Sequence, residues 1–314
     1  MSDAMRAGSI TITGHGGDEL EAYAAGPVDV GSRGGVVVIH HMPGYDAATK
    51  EMVRTFAVHG YDAICPNLYS REAPGADPDD ASAHVRAAGG VPDDRLVGDV
   101  EGAANYLTGL PSSNGKVGVI GYCSGGRQTF LSACRLDIDA AVDCYGAFIV
   151  KEPPADFPVK TMTPLLGLAP DLSCPLLGLF GADDGYPSPE ETATLAAELT
   201  RLGKDHEFHT YDGAGHAFFS VDRPSYRPAA AVDGWQQVFD FFGRHLSPEG
   251  RPRCAPTRPK RSRSTAAARA RAAGSDCAAR RCTSTTPCTP ATRTPSTSTS
   301  PTRTRARPPA SPWS

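Results

Sequence analysis

Val117-Gly118-Val119-Ile120-Gly121-Tyr122-Cys123-Ser124-Gly125-Gly126 is an apolar β-run that delivers one reactive side chain between glycines and passes into a helical segment opening Arg127-Gln128-Thr129-Phe130. It reads as a nucleophile elbow with Cys in the place of Ser. In such a turn the backbone is strained and flanking side chains collide with neighbours, so glycines at 121 and 125 let residue 123 project above the sheet. The helix that follows aims its first amides and its positive dipole end at the sulfur, which favours thiolate, the competent nucleophile, over thiol.

Outward from this stretch, strands and helices alternate. Gly35 to Ile39 is uniformly apolar, as expected of a strand buried on both faces of a mostly parallel sheet. It ends in His40-His41-Met42-Pro43-Gly44. Asp62 to Cys65, Ala140 to Tyr145, Pro175 to Phe180 and His206 to Tyr211 are further strands. Thr49 to His59, Asp93 to Leu110, the segment from the elbow to Cys134, Pro189 to Leu202 and Pro228 to Leu246 are helices. At the start, Ser9 to Thr13 and Glu21 to Ala24 flank Gly14-His15-Gly16-Gly17, a β-hairpin at one sheet edge. The pattern predicts an α/β fold, a mostly parallel doubly wound sheet with helices on both faces and ligands at the carboxyl ends of the strands. Residues 70–91, rich in Pro, Gly, Ala and Asp, read as a long polar loop that covers the site.

The 314 residues divide in two. Residues 251–314 hold 14 Lys and Arg against one acid, Asp276, about +13; the remainder holds 17 basic and 34 acidic residues, about −17. Residues 1–248 read as the globular domain, and their acidity argues against a nucleic-acid or anionic-membrane partner. Residues 249–314 are dominated by Arg, Pro, Thr, Ser and Ala, with no Ile, Leu, Val or Phe after Gly250, and read as disordered. That composition is also what an out-of-frame reading of a GC-rich gene yields, so the tail is expected to be a frameshift product or a dispensable extension.

Of nine cysteines, five precede Gly250 at positions 65, 123, 134, 144 and 174. They show no paired metal-ligand spacing, and an odd number argues against a full disulfide framework. The expectation is a cytoplasmic protein, a monomer or small homo-oligomer, with no metal, no cofactor and no membrane segment.

Two loops after predicted strands supply partners for Cys123: Gly181-Ala182-Asp183-Asp184 and Gly213-Ala214-Gly215-His216. The chain order nucleophile, acid, histidine is that of α/β-hydrolases. His216 would serve as general base, and one of the two adjacent carboxylates, Asp183 or Asp184, would orient its ring. The other cysteines read as core fillers.

These motifs, with Cys65-Pro66-Asn67-Leu68-Tyr69 and Tyr211 to Phe218, resemble the dienelactone hydrolases (carboxymethylenebutenolidases) of the α/β-hydrolase superfamily, over roughly Ser9 to Leu246. The resemblance implies a Cys123, Asp184 and His216 triad, an oxyanion hole from the amides of Met42 and Ser124, and a lactone or ester as small-molecule substrate. Candidate substrate contacts are His41, Arg86, Tyr145 and Phe218. Members of the chlorocatechol pathway carry Glu at the position of His41, which an imidazole cannot copy; His41 then forms an ion pair with the thiolate, touches substrate or is structural. The family also binds its substrate carboxylate through arginines. Here no Arg falls at the expected place after His216, leaving Arg223 or Arg86, while Arg127 reads as an ion-pair partner of a core acid. The competing functions are a broader carboxylesterase or thioesterase, and a non-catalytic binding module with a basic tail.

Overall fold

The computed structural model describes residues 4–29, 31–155, 157, 159 and 162–247; the segment read above as a tail, 249–314, lies outside them. Among these residues eight strands form one sheet: β1 (Met5–Thr13), β2 (Glu19–Pro27), β3 (Arg33–Ile39), β4 (Asp62–Pro66), β5 (Ser113–Tyr122), β6 (Ala140–Cys144), β7 (Leu176–Gly181) and β8 (His206–Tyr211). They are ordered β1-β2-β4-β3-β5-β6-β7-β8. β1 and β2 are the expected edge hairpin, Ser9 opposite Tyr23, and β2 runs antiparallel to β4; every pairing from β4 to β8 is parallel.

Among the described residues, six α-helices cover the sheet: α1 (Ala47–Val58), α2 (Pro78–Ala87), α3 (Asp93–Thr108), α4 (Ser124–Arg135), α5 (Pro189–Arg201) and α6 (Pro228–His245). Alternation along the strands decides which helix each residue meets. Val36 and Val38 of β3 pack in the layer of Val53 and Phe56 from α1 and Val238, Phe241 and Phe242 from α6. Val37 and Ile39 face Leu96, Val100 and Leu107 of α3 and Phe130 of α4. With both faces covered, all seven residues of β3 are buried, which is why Gly35 to Ile39 reads as an unbroken apolar run.

The expectation of an irregular stretch over 70–91 is corrected by α2. Pro78, which fits the first helical turn, follows Asp77, and Ala81 and Val85, four residues apart, turn one stripe into the core. Gly89 and Gly90, both with positive φ, end it. Among the described residues, no helix is long and apolar enough to cross a membrane.

The strand order also creates the site. The chain leaves β3 through α1 to pair on one side with β4, then returns across the sheet through α2 and α3 to enter β5 on the other side of β3. The loops after β3 and β5 therefore diverge and leave a crevice at the carboxyl ends, where the topology reverses.

Candidate active site

β5 ends at Tyr122 and α4 begins at Ser124, so the whole turn falls on Cys123, at φ 58° and ψ −119°. A side chain seldom occupies that region; holding one there costs roughly 1–3 kcal/mol. The amide of Cys123 donates to Cys144 O at 3.0 Å, and Cys123 O accepts from Gly126 N at 3.0 Å, which pins the turn from both ends. A Cβ at Gly121 would strike the carbonyl of Gly125, and one at Gly125 would strike the carbonyl of Ile39. The two glycines thus allow α4 to sit directly on β5 and β3.

His216 follows β8 and Asp184 follows β7, neighbouring parallel strands. His216 Nδ1 donates to Asp184 Oδ2 at 2.9 Å, and the Asp184 side chain is only 2 % exposed. Asp184 is itself held, its Oδ1 accepting from Tyr186 N at 2.9 Å. Asp183 is exposed, and its backbone amide ties the loop to Ala214 O. Of the two adjacent carboxylates, the structure brings Asp184 to the imidazole.

The third group is the sulfur. Burial pushes the Cys123 thiol up, but the charge of His216, a hydrogen bond with it, and the amides of Ser124 and Met42 together pull it below its ordinary value. The same contacts act on His216: burial opposes its charge, yet Cys123 and Asp184 raise it to about 10. The pair therefore favours thiolate with imidazolium. Cys65, Cys134, Cys144 and Cys174 are all pushed upward, with burial the largest cause in each. Cys123 is the one described cysteine made more acidic, as a nucleophile requires.

Met42 lies in the loop after β3, and Tyr69 Oη donates to its carbonyl at 3.1 Å. Tyr69 belongs to the Cys65 to Tyr69 motif, to which the sequence reading attached no role; through that carbonyl it anchors Met42, the residue whose amide faces the sulfur. A second anchor is Asp46, which caps α1 by accepting from Thr49 N at 2.7 Å and accepts from His41 Nε2 at 2.6 Å. Burial alone would raise the Asp46 carboxyl, but hydrogen bonds from His41 and Thr49 and the His41 charge bring it to about 2. His41 is thus turned toward the start of α1. His40 is buried beside it, its Nδ1 donating to His41 O at 2.9 Å and its ring edge-on to Tyr69.

The remaining candidates fall in different places. Tyr145 is buried, with its ring edge-on to that of His216 at 5.1 Å, so it packs against the imidazole. Phe218 is wholly buried among Tyr145, Tyr211 and Phe219; the structure puts it in the aromatic core rather than on a cavity wall. Arg86 sits half-buried on α2, has no ion pair among the described residues, and exerts its charge on Tyr69. Arg127 is buried, and its acid is not a core one: Asp93, 3.4 Å away, has a side chain 42 % exposed. Among the described residues no group of three His, Cys, Asp or Glu could hold a metal ion.

An eight-stranded, mostly parallel sheet carrying a cysteine elbow after β5, then an acid after β7 and a histidine after β8, all at the carboxyl ends of the strands, defines the α/β-hydrolase class. Comparison with known proteins narrows this: the sequence model of the dienelactone hydrolase family matches residues 20–246, and the chain belongs to that family. A Salmonella typhimurium protein named provisionally as a carboxymethylenebutenolidase is 31% identical over 253 residues, 79% of this chain and 90% of its own. An Escherichia coli K12 protein of the same provisional name is 32% identical over 251 residues, 76% of this chain and 88% of its own. A crystal structure titled provisionally as a Klebsiella pneumoniae dienelactone hydrolase superposes with TM-score 0.68 at 29% identity, covering 77% of this chain and 100% of that one. The protein is a hydrolase of the dienelactone hydrolase type.

Proposed function

We propose that the protein hydrolyses lactones or small activated esters through a covalent thioester on Cys123, with His216 and Asp184 completing the triad. The observation that carries this reading is the convergence on one sulfur of the His216 imidazole and the amides of Ser124 and Met42, with Asp184 behind the imidazole. The Cys123 thiolate attacks the acyl carbon, and the carbonyl oxygen becomes an oxyanion that accepts from the Met42 and Ser124 amides. Donors fixed before the reaction need no reorganisation as charge develops, commonly a large part of the rate enhancement. The C–O bond then breaks, and the departing alkoxide takes the Nε2 proton of His216; in a lactone that alkoxide stays tethered as a hydroxyl. His216, now neutral, removes a proton from water, hydroxide adds to the thioester, and the thiolate leaves with the acid released.

Thiolate is a good leaving group, so the chemistry suits activated acyl carbons rather than amides, from which sulfur would be expelled again. A Pseudomonas putida relative, 32% identical over 212 residues, carries the name carboxymethylenebutenolidase, which supports lactones as the substrate type. The test is a mixing experiment with p-nitrophenyl acetate, quenched in acid and weighed as intact protein. Wild type gains one acetyl group, and Cys123→Ala gains none and loses turnover. Unchanged turnover in Cys123→Ala overturns the proposal.

A further inference from the structure

Asp143 is a wholly buried carboxylic acid that the chemistry above does not use. It sits near the end of β6, and its Oδ1 accepts from Gly146 N at 2.7 Å, closing a turn over residues 143–146. The two residues inside that turn each touch a reacting group. Cys144 O accepts from Cys123 N at 3.0 Å, and the Tyr145 ring packs against the His216 imidazole, the centroids 5.1 Å apart. Tyr145 takes φ 46°, a left-handed conformation that a bulky side chain keeps only where its surroundings enforce it. The carboxyl also reaches α4. A Cβ at Gly126 would strike Asp143 Oδ1 and lie 2.8 Å from both Cys144 O and Gly146 N, so the second glycine of Gly125-Gly126 makes room for this turn as the first does for β3.

Burying an acid is costly unless it makes a bond worth having. Burial pushes the Asp143 carboxyl up to about 7, against the pull of the Gly146 amide and, less, of the His216 charge. Its Oδ2 has no hydrogen-bond partner among the described residues, so the bond to Gly146 is the one polar contact this side chain makes there. Substrate contact does not account for the acid: the cavity of about 180 Å³ beside the elbow is lined by Met42, Ser124, Arg127 and Asp93 among others, and not by Asp143. Nor does orientation of the base, because Asp184 already accepts from His216 Nδ1. What remains is the turn. We propose that Asp143 is a positioning residue: by holding Gly146 N it keeps Cys144 O on the amide of the nucleophile and the Tyr145 ring on the imidazole, so one buried side chain places both partners of the proton exchange. The inference rests on the Cys123 chemistry proposed above and adds a residue to it.

The experiment is steady-state hydrolysis of p-nitrophenyl acetate by the full chain at pH 6, where burial keeps the carboxyl mostly protonated and a side-chain amide matches its charge. Asp143→Ala leaves Gly146 N buried without its acceptor, and kcat should fall about tenfold with KM changed by less than about twofold. Asp143→Val fills the space without supplying an acceptor and should resemble Asp143→Ala; it also serves where the alanine variant folds poorly. Asp143→Asn restores an acceptor oxygen and should recover most of the loss. Alkylation of Cys123 by iodoacetamide, followed by intact mass, yields a rate constant independent of how much protein is folded, and it should slow in step with kcat. Values of kcat in Asp143→Ala and Asp143→Val within about threefold of wild type overturn the proposal. So does an Asp143→Asn variant as slow as those two, a loss confined to KM, or alkylation at the wild-type rate in both. Turnover surviving in Cys123→Ala would instead overturn the nucleophile, whereas Cys123-dependent turnover indifferent to residue 143 overturns the positioning role alone.

Discussion

Asp184→Asn keeps the shape of the side chain and removes its charge. In the native protein a carboxylate oxygen lies 2.9 Å from His216 Nδ1 with almost no solvent contact, so the bond is charge-assisted and little screened. Such bonds contribute about 1.5–3 kcal/mol. At 1.36 kcal/mol per unit, losing one lowers the His216 pKa by roughly 1–2 units. The same loss weakens the imidazolium that supports the thiolate, so kcat/KM at neutral pH should fall by roughly 10- to 150-fold. The assay is the pH dependence of p-nitrophenyl acetate hydrolysis, with thiolate followed by its ultraviolet absorbance. His216 is raised to about 10 in the native protein, so imidazolium persists until the pH climbs through that value. In the variant the alkaline limb should move down, while the acid limb, set by the depressed Cys123 thiol, moves up. A variant with both limbs in place and a rate within threefold of wild type would refute the reasoning.

Three further outcomes are expected. His40 is buried and held down to about 4 chiefly by that burial, so its contribution to stability is complete above pH 6.5 and is lost as pH falls through 4; chemical denaturation should show about 3 kcal/mol lost between pH 7 and 4 and a smaller loss in His40→Phe. Tyr69→Phe removes the bond to Met42 O, and a loss of about 1 kcal/mol in oxyanion support should lower kcat roughly fivefold with KM little changed, read by steady-state kinetics. Residues 249–314 hold none of the proposed machinery, so a chain ending at Pro248 should keep wild-type kcat/KM, and a dead truncation would show that the segment contributes.

Much of this architecture was legible because parallel strands buried on both faces have to be apolar throughout, as Val36 to Ile39 and Leu176 to Phe180 are. The glycines at 121 and 125 were legible for a similar reason, since only close backbone approach demands them there. Helix α2 was missed because Pro and Gly dominate its surroundings while its apolar stripe is short, Ala81 and Val85. Side-chain destinations were harder still. His41 could not be assigned without knowing that Asp46 caps α1 within reach of it, and Phe218 lies two residues after His216 yet points into the core. Arg127 was read as the partner of an internal acid; its Asp93 neighbour is a surface residue that shares a cavity with it. Chain order signalled Cys123, Asp184 and His216, but the choice between Asp183 and Asp184 depends on loop torsion, which no local pattern records.

The left-handed backbone at Cys123 has one more consequence. A residue without a Cβ would rest comfortably at φ 58°, so replacing the sulfur-bearing side chain by hydrogen should relieve the turn and raise the melting temperature while abolishing turnover. Durability and reactivity are opposed at this single torsion angle, and a screen for heat resistance alone would drift toward an inert protein.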